Sequence, residues 1–227
     1  MNTKAPKAET KPDVDYVLVD FEPMHKQRWR TDTVRLVCVE FPPYTTCLWH
    51  QHLKYGIYVV MAPLNVVEHC YGQKPRPLVQ MKGAVFCRDH TKDKLIHLAT
   101  TSELPAFLIE VELLKEKADI IPNGHMSLHS RIELLHNEPE CRVYRFTLQN
   151  GIDRIAEISL DLPTEAVLLA LDDCKVEICT ASTKQEDTTY EIALKVGGDV
   201  HLNAGKFGVK LMSSATTKTQ FVLAEVY

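Results

Sequence analysis

The sequence predicts an all-β protein of two tandem barrels, and three observations carry that expectation. Fifteen apolar runs of strand length, rich in Val, Ile, Leu and aromatic residues, are each bounded by Pro, Gly, Asn or Asp. No stretch shows the 3.6-residue apolar period of an amphipathic helix. The chain also repeats itself: Gly83-Ala84-Val85 through Glu110-Val111 aligns without a gap on Gly198-Asp199-Val200 through Glu225-Val226, pairing Thr101 with Thr216 on the way. Any two antiparallel β segments share some such pattern, so generic likeness and duplication both stay open here. Duplication divides the chain into halves at about 16–116 and 117–227.

In chain order, residues 1–15 are rich in Lys, Pro and Thr with little to bury. Such a stretch cannot offset its own ordering entropy, so a disordered tail is expected. Strands are expected at 33–41, 46–52, 56–62, 64–69, 84–88, 94–100 and 106–114, separated by Pro or Gly turns. Residues 115–140 carry Pro122-Asn123-Gly124 and mixed charge, and read as the linker into the second half. The runs at 141–148, 154–162, 166–171, 175–181, 189–196, 199–204, 209–215 and 219–227 form the second set.

Of the 227 residues, 45% are hydrophobic and 25% charged, a globular balance that excludes disordered and fibrous classes. Thirty acidic and 26 basic residues are scattered along the chain and leave a net charge of −4. That pattern gives no electrostatic footprint for nucleic acid or an anionic membrane. No apolar run reaches the roughly 18 residues that span a bilayer, and the first residues hold no secretory signal, so a cytoplasmic protein is expected. Seven cysteines, an odd number without CxxC spacing, read as reduced thiols. Dinucleotide-binding, P-loop, zincin and serine-hydrolase motifs are absent.

The sharpest local feature is Leu48-Trp49-His50-Gln51-His52. Alternate residues of a strand share a face, so the imidazoles of His50 and His52 can converge on one ion. The same spacing also fits a solvated strand face. A third ligand must come from another strand, and His97, in the strand before the last of the first half, is the candidate. Three imidazoles leave coordination positions open to water, substrate or dioxygen.

With these residues the chain resembles the cupin superfamily, specifically a two-barrel member, over about Val34 to Tyr227. The resemblance places the family's first-motif HxH on His50 and His52 and its second-motif His on His97, preceded by Gly83. It implies jelly-roll barrels and one divalent metal ion, Fe(II) favoured, with Zn(II), Mn(II) or Ni(II) as alternatives. The family's glutamate does not carry over: Tyr55 or Gly56 stands where it is expected, Thr101 stands for the usual Asn, and the Pro-x-Gly turn is missing. Three neutral imidazoles leave an ion its full +2 charge, which favours an anionic, chelating substrate. The arrangement is similar to that of thiol and some β-diketone dioxygenases in ligand set only. In the second half, Glu157, Ser159 and Met212 stand at the corresponding positions, so that barrel is expected to have lost its metal and to pack against the first.

Arg88 is the candidate for clamping a substrate carboxylate, and Tyr55 the candidate acid or base in the cavity. Tyr58 fits strand packing, and His90, in a turn after Asp89, could replace His97 as ligand. His25, His125, His129, His136 and His201 lack metal spacing and read as surface residues. The expected function is a non-haem Fe(II) oxygenase acting on a small anionic substrate. The rival is a non-catalytic binding or scaffold protein, and a sugar isomerase or epimerase would need an acid and base that only Tyr55 and His90 offer. The expected partners are a small-molecule substrate or ligand and, for a homodimer, a second copy of the chain.

Overall fold

The computed structural model describes residues 13–115, 132–149, 156–181 and 188–227. The expected tail up to residue 12, the expected boundary at 116/117, and His125 and His129 lie outside them. The first half holds β1 (Val17–Leu18), a 3-10 turn (Val19–Phe21), β2 (His25–Arg30), β3 (Val34–Phe41), β4 (His50–Gln51), β5 (Tyr55–Val60), β6 (Leu64–Cys70), β7 (Arg76–Gln80), β8 (Val85–Asp89), the single helical turn α1 (His90–Asp93), β9 (Ile96–Thr101) and β10 (Ala106–Leu113). The second holds β11 (Ile132–Asn137), β12 (Cys141–Leu148), β13 (Glu157–Leu162), β14 (Ala166–Ala170), β15 (Cys174–Ala181), β16 (Thr188–Leu194), β17 (Asp199–Leu202), β18 (Gly205–Ser214) and β19 (Thr219–Val226).

These strands form four sheets, ordered β1-β4-β9-β6-β7 and β2-β3-β10-β5-β8 in the first half, and β11-β12-β19-β14-β17 and β13-β18-β15-β16 in the second. Each half is a sheet pair around its own core. Val37, Val39, Val60, Leu64, Val66 and Leu108 cluster in the first, and Phe146, Leu160, Leu168, Val176, Val209 and Phe221 in the second. A third core joins the halves, where Leu36, Ile57, Ile109 and Val111 meet Val143, Leu169, Val222 and Ala224. The central strands β5, β10 and β14 are therefore covered on both faces and buried almost throughout, whereas β13 alternates exposed and buried residues. Polar ties run across the junction: Trp29 Nε1 donates to Asp199 at 2.6 Å, Lys82 pairs with Asp172 at 2.8 Å, and His136 Nε2 lies 3.1 Å from the Val85 carbonyl.

Four strands escape the sequence pattern: β1, β2, β7 and β11. All four are sheet edges. An edge strand pairs on one side and tolerates the polar run His25–Arg30, or the Arg76-Pro77 start of β7. The stretch read as a linker thus contains β11, which pairs with β12. The helical turn α1 forms because the Asp89 carboxylate caps it by accepting from Thr91 N at 3.0 Å, and Lys94 ends it in the left-handed region. All seven cysteines are free thiols, and no helix among the described residues is long and apolar enough to cross a membrane.

Candidate metal centre

The register of β4 against β9 sets His50 directly opposite His97, with ring centroids 4.5 Å apart. His52 follows β4, its ring 5.0 Å from His50 and 5.1 Å from His97. The three rings that the sequence singles out are thus neighbours. His25 joins them from the edge strand β2, 4.6 Å from His50 by ring centroid, and the group whose ligating atoms all lie within 4.8 Å of one another is His25, His50 and His52 and does not include His97. His25 is thus not a surface residue. Its strand has no HxH spacing, and only the β2–β3 register places it here, opposite Val39.

The rings are held from outside. His50 Nδ1 lies 2.8 Å from the Leu48 carbonyl, His97 Nδ1 3.0 Å from Glu68 Oε1, and His25 Nδ1 2.7 Å from Glu22 Oε2. His52 Nδ1 has Tyr58 Oη at 3.4 Å and Glu110 Oε1 at 3.5 Å. Nδ1 engaged with a carbonyl or carboxylate fixes the tautomer and turns Nε2 toward the hollow. The Nε2 atoms of His50 and His97 and Oε2 of Glu110 are buried without a protein partner. Buried polar atoms left unpaired cost roughly 1–3 kcal/mol each, so such a set is an unusual expense unless something meets it.

Burial pushes the His50 imidazole down to about 2, with the neighbouring His97, His25 and His52 rings adding to the effect. Burial likewise pushes His97 down to about 4, although Glu68 opposes it. Both rings are neutral, as metal ligation requires. Burial by itself would raise the Glu68 carboxyl, but His97, Arg88 and Arg76 together draw it below the usual carboxylate range. Glu110 behaves alike, drawn down mainly by His52 against the effect of its burial.

The remaining expected residues separate. Arg88 lines the cavity but is committed to Glu68, at 2.5 Å from Oε1 and 3.3 Å from Oε2, with its guanidinium over the Phe86 ring. Tyr55 lies on the opposite face of β5, in the core between the halves, where its hydroxyl is 3.9 Å from Cys141 Sγ. Because strand residues alternate, Tyr58 and not Tyr55 faces the imidazoles, which reverses the sequence-based assignment. A side chain at Gly56 would meet Tyr58 Cε2 at 2.8 Å, so Tyr58 fills the space of the missing glutamate. His90 is buried, not solvated; its ring is 5.2 Å from His52, with Nδ1 3.1 Å from Asp93 and Nε2 unpaired.

In the second half the counterparts differ from those the gapless alignment gives. Ile158 pairs with Val209 and Val209 with Ile178, as His50 pairs with His97 and His97 with Cys70. The counterparts of His50, His52 and His97 are therefore Ile158, Leu160 and Val209. A gapless alignment cannot follow two features: the second half passes from β17 to β18 through Asn203-Ala204 where the first half inserts α1, and the β15–β18 register skips Met212. Glu157 and Ser159 face outward.

No protein-family model and no curated protein sequence matches the chain. Solved structures do. The vicilin from Solanum melongena superposes with a TM-score of 0.61 at 10% identity, covering 92% of this chain and 84% of the vicilin. Salicylate 1,2-dioxygenase from Pseudoaminobacter salicylatoxidans gives 0.56 at 11% identity, covering 86% and 71%. HEPD from Streptomyces albus, solved with 2-hydroxyethylphosphonate and Fe(II), gives 0.58 at 10% identity, covering 89% and 70%. The fold is that of a two-barrel cupin. At these identities the likeness extends to architecture alone, and within this two-barrel fold the cluster of imidazoles belongs to the first barrel.

Proposed function

We propose that the first barrel holds one divalent metal ion on His50, His52 and His97, with His25 as a further imidazole, and that the protein is a non-haem Fe(II) oxygenase acting on a small molecule. One observation carries this reading: buried Nε2 atoms of His50 and His97 lack partners while each Nδ1 is engaged from outside. The donor set of imidazoles with a nearby carboxylate suits Fe(II), and also Mn(II), Zn(II) or Ni(II). When bound, such an ion supplies Lewis acidity and, if iron, electron transfer to dioxygen.

The chain's own residues do the rest. Glu22 and Glu68 orient His25 and His97, and Tyr58 with Glu110 fixes His52. Apolar walls that include Leu64, Val66, Phe86 and Leu108 line a partly open cavity of about 60 Å³ beside the imidazoles. The anionic substrate expected for a carboxylate-free site loses its premise, because Glu22, Glu68 and Glu110 all abut the imidazoles.

Elemental analysis of protein purified without added metal should find about one equivalent per chain, lost in His97→Ala. Oxygen uptake by the Fe(II)-loaded protein with a panel of small substrates then tests the oxygenase. Stoichiometric metal without any turnover would favour a binding role, and no metal in the wild type would reject the site.

A further inference from the structure

The sequence assigns Arg88 to a substrate anion, but the structure shows that its charge is already taken. Glu68 is 1% exposed and receives Arg88 at 2.5 Å, Arg76 at 2.7 Å and His97 at 3.0 Å. Among the described residues, Arg88 is the sole Lys or Arg lining the cavity. Glu22, 2% exposed, and Glu110, 1% exposed, add two buried carboxylates behind His25 and His52. Their two negative charges offset a bound dication, Glu68 neutralises Arg88, and the second cation on Glu68, Arg76, has a side chain 57% exposed to solvent and lies outside the cavity lining. Within the low dielectric of the barrel an added anion would therefore lose its hydration without gaining a free counter-charge. Apart from these groups the walls are apolar, with Phe41, Leu64, Val66, Leu78 and Phe86 among them. Tyr58 does not offer a free donor to an anion either, since its hydroxyl lies against His52 and its ring stacks on Phe86 at 5.0 Å.

From this geometry we infer that the cavity takes a small uncharged molecule, apolar except for one donor atom directed at the imidazoles, and discriminates against anions. This rests on the metal reading above and names the substrate class of the same site. Arg88 then acts as a positioning residue, holding the Glu68 carboxylate against His97.

Propionamide and propionate, equal in size and different in charge, form the test. Each is titrated into the full-length Co(II)-loaded protein, and binding is read from the visible bands of the cobalt and from the ring resonances of Tyr58 and Phe86. Propionamide should bind about tenfold more tightly than propionate, a difference of about 1.4 kcal/mol. Glu68→Gln releases Arg88 and should shift the ratio of propionate to propionamide affinity about tenfold toward propionate, a ratio that a general loosening of His97 would not move. Arg88→Met should leave propionate as weak as before. Preference of the wild type for propionate, lost in Arg88→Met, would overturn the inference, as would failure of both ligands to bind or an unchanged ratio in Glu68→Gln. If the protein takes up no Co(II), the metal reading fails, and the same resonances in the metal-free chain still decide the charge preference.

Discussion

The two barrels use one set of strands to hold very different interiors. His50 and His97 of the first correspond to Ile158 and Val209 of the second, and Glu68, opposite Ala99, corresponds to Val176, opposite Leu211. Glu110 sits across from Tyr58, and Leu223 across from Leu168. Arg88 faces Gly56 as Leu202 faces Ala166. Even His25 has an apolar counterpart in Ile132, since the β2 and β11 strands share both their pairing and their bulge. Outside the cavity the halves agree. Arg35 opposite Glu112 matches Arg142 opposite Glu225, and the turns at Gly83 and Gly197 share positive φ and the same backbone hydrogen bonds. An apolar interior therefore suffices to build this barrel, and the buried polar set of the first barrel is not required by the fold. A polar set retained at the cost of desolvation points to a ligand.

The comparison breaks most decisively if the first barrel is given the second's residues. His50→Ile with His97→Val should reduce metal content from about one equivalent to background, because the ligand set loses two of its imidazoles. The fold should survive. Two unpaired buried nitrogens are replaced by groups that suit the core, so the metal-free variant should match or exceed the wild type by about 1–3 kcal/mol in chemical denaturation. A variant that unfolds would mean that the polar cluster is structural.

The reverse exchange sharpens the point. Ile158→His with Val209→His copies the first-barrel pair into the second, but the partners that would orient it are missing. The carbonyl of Ala156, counterpart of the Leu48 carbonyl that holds His50, already accepts from Leu211 N at 2.6 Å, and Val176 stands where Glu68 would be. Two unsupported imidazoles in an apolar core should cost about 2–5 kcal/mol and lower the melting temperature by several degrees. No second equivalent of metal should appear. A gained metal site would show that the outer partners matter less than the imidazole positions.

The all-β architecture and its doubling were legible because central strands are covered on both faces, and their apolar runs survive any reading frame. The edges β1, β2, β7 and β11 were not, since a strand paired on one side has no need of such a run. Among the site residues, His50 and His52 announce themselves by spacing, and His97 by its place before the last strand of the half. His25, Glu22, Glu68 and Glu110 carry no local signal. Each reaches the cluster through pairing with a strand distant in sequence, as β10 does with β5. Glu68 and Glu110 do not stand out even as isolated charges, because β6 also holds Asn65 and His69 and β10 also holds Glu112, and only the structure shows which of these are buried beside the imidazoles. The correspondence in the second half was displaced by the short β17–β18 connection, which lacks a counterpart of α1, and by the irregularity near Met212, features of pairing that the sequence does not mark.

The smallest expected effect separates the two faces of one strand. Tyr55 and Tyr58 are three residues apart in β5, so alternation sends their rings to opposite sides of the sheet. Tyr58 touches the centre through a hydroxyl 3.4 Å from His52 Nδ1, whereas Tyr55 Oη meets the thiols of Cys141, at 3.9 Å, and Cys87. Tyr58→Phe leaves His52 to Glu110 alone, at a distance of 3.5 Å, and should weaken metal binding several-fold by loosening the ring. Tyr55→Phe removes weak contacts to two thiols, so it should change stability by about 1 kcal/mol at most and leave the metal dissociation constant within about twofold. Competition with a chromogenic chelator measures both variants on one scale. Equal losses in the two would mean that the inter-barrel core is coupled to the centre, and a larger loss in Tyr55→Phe would return that residue to the role the sequence suggested.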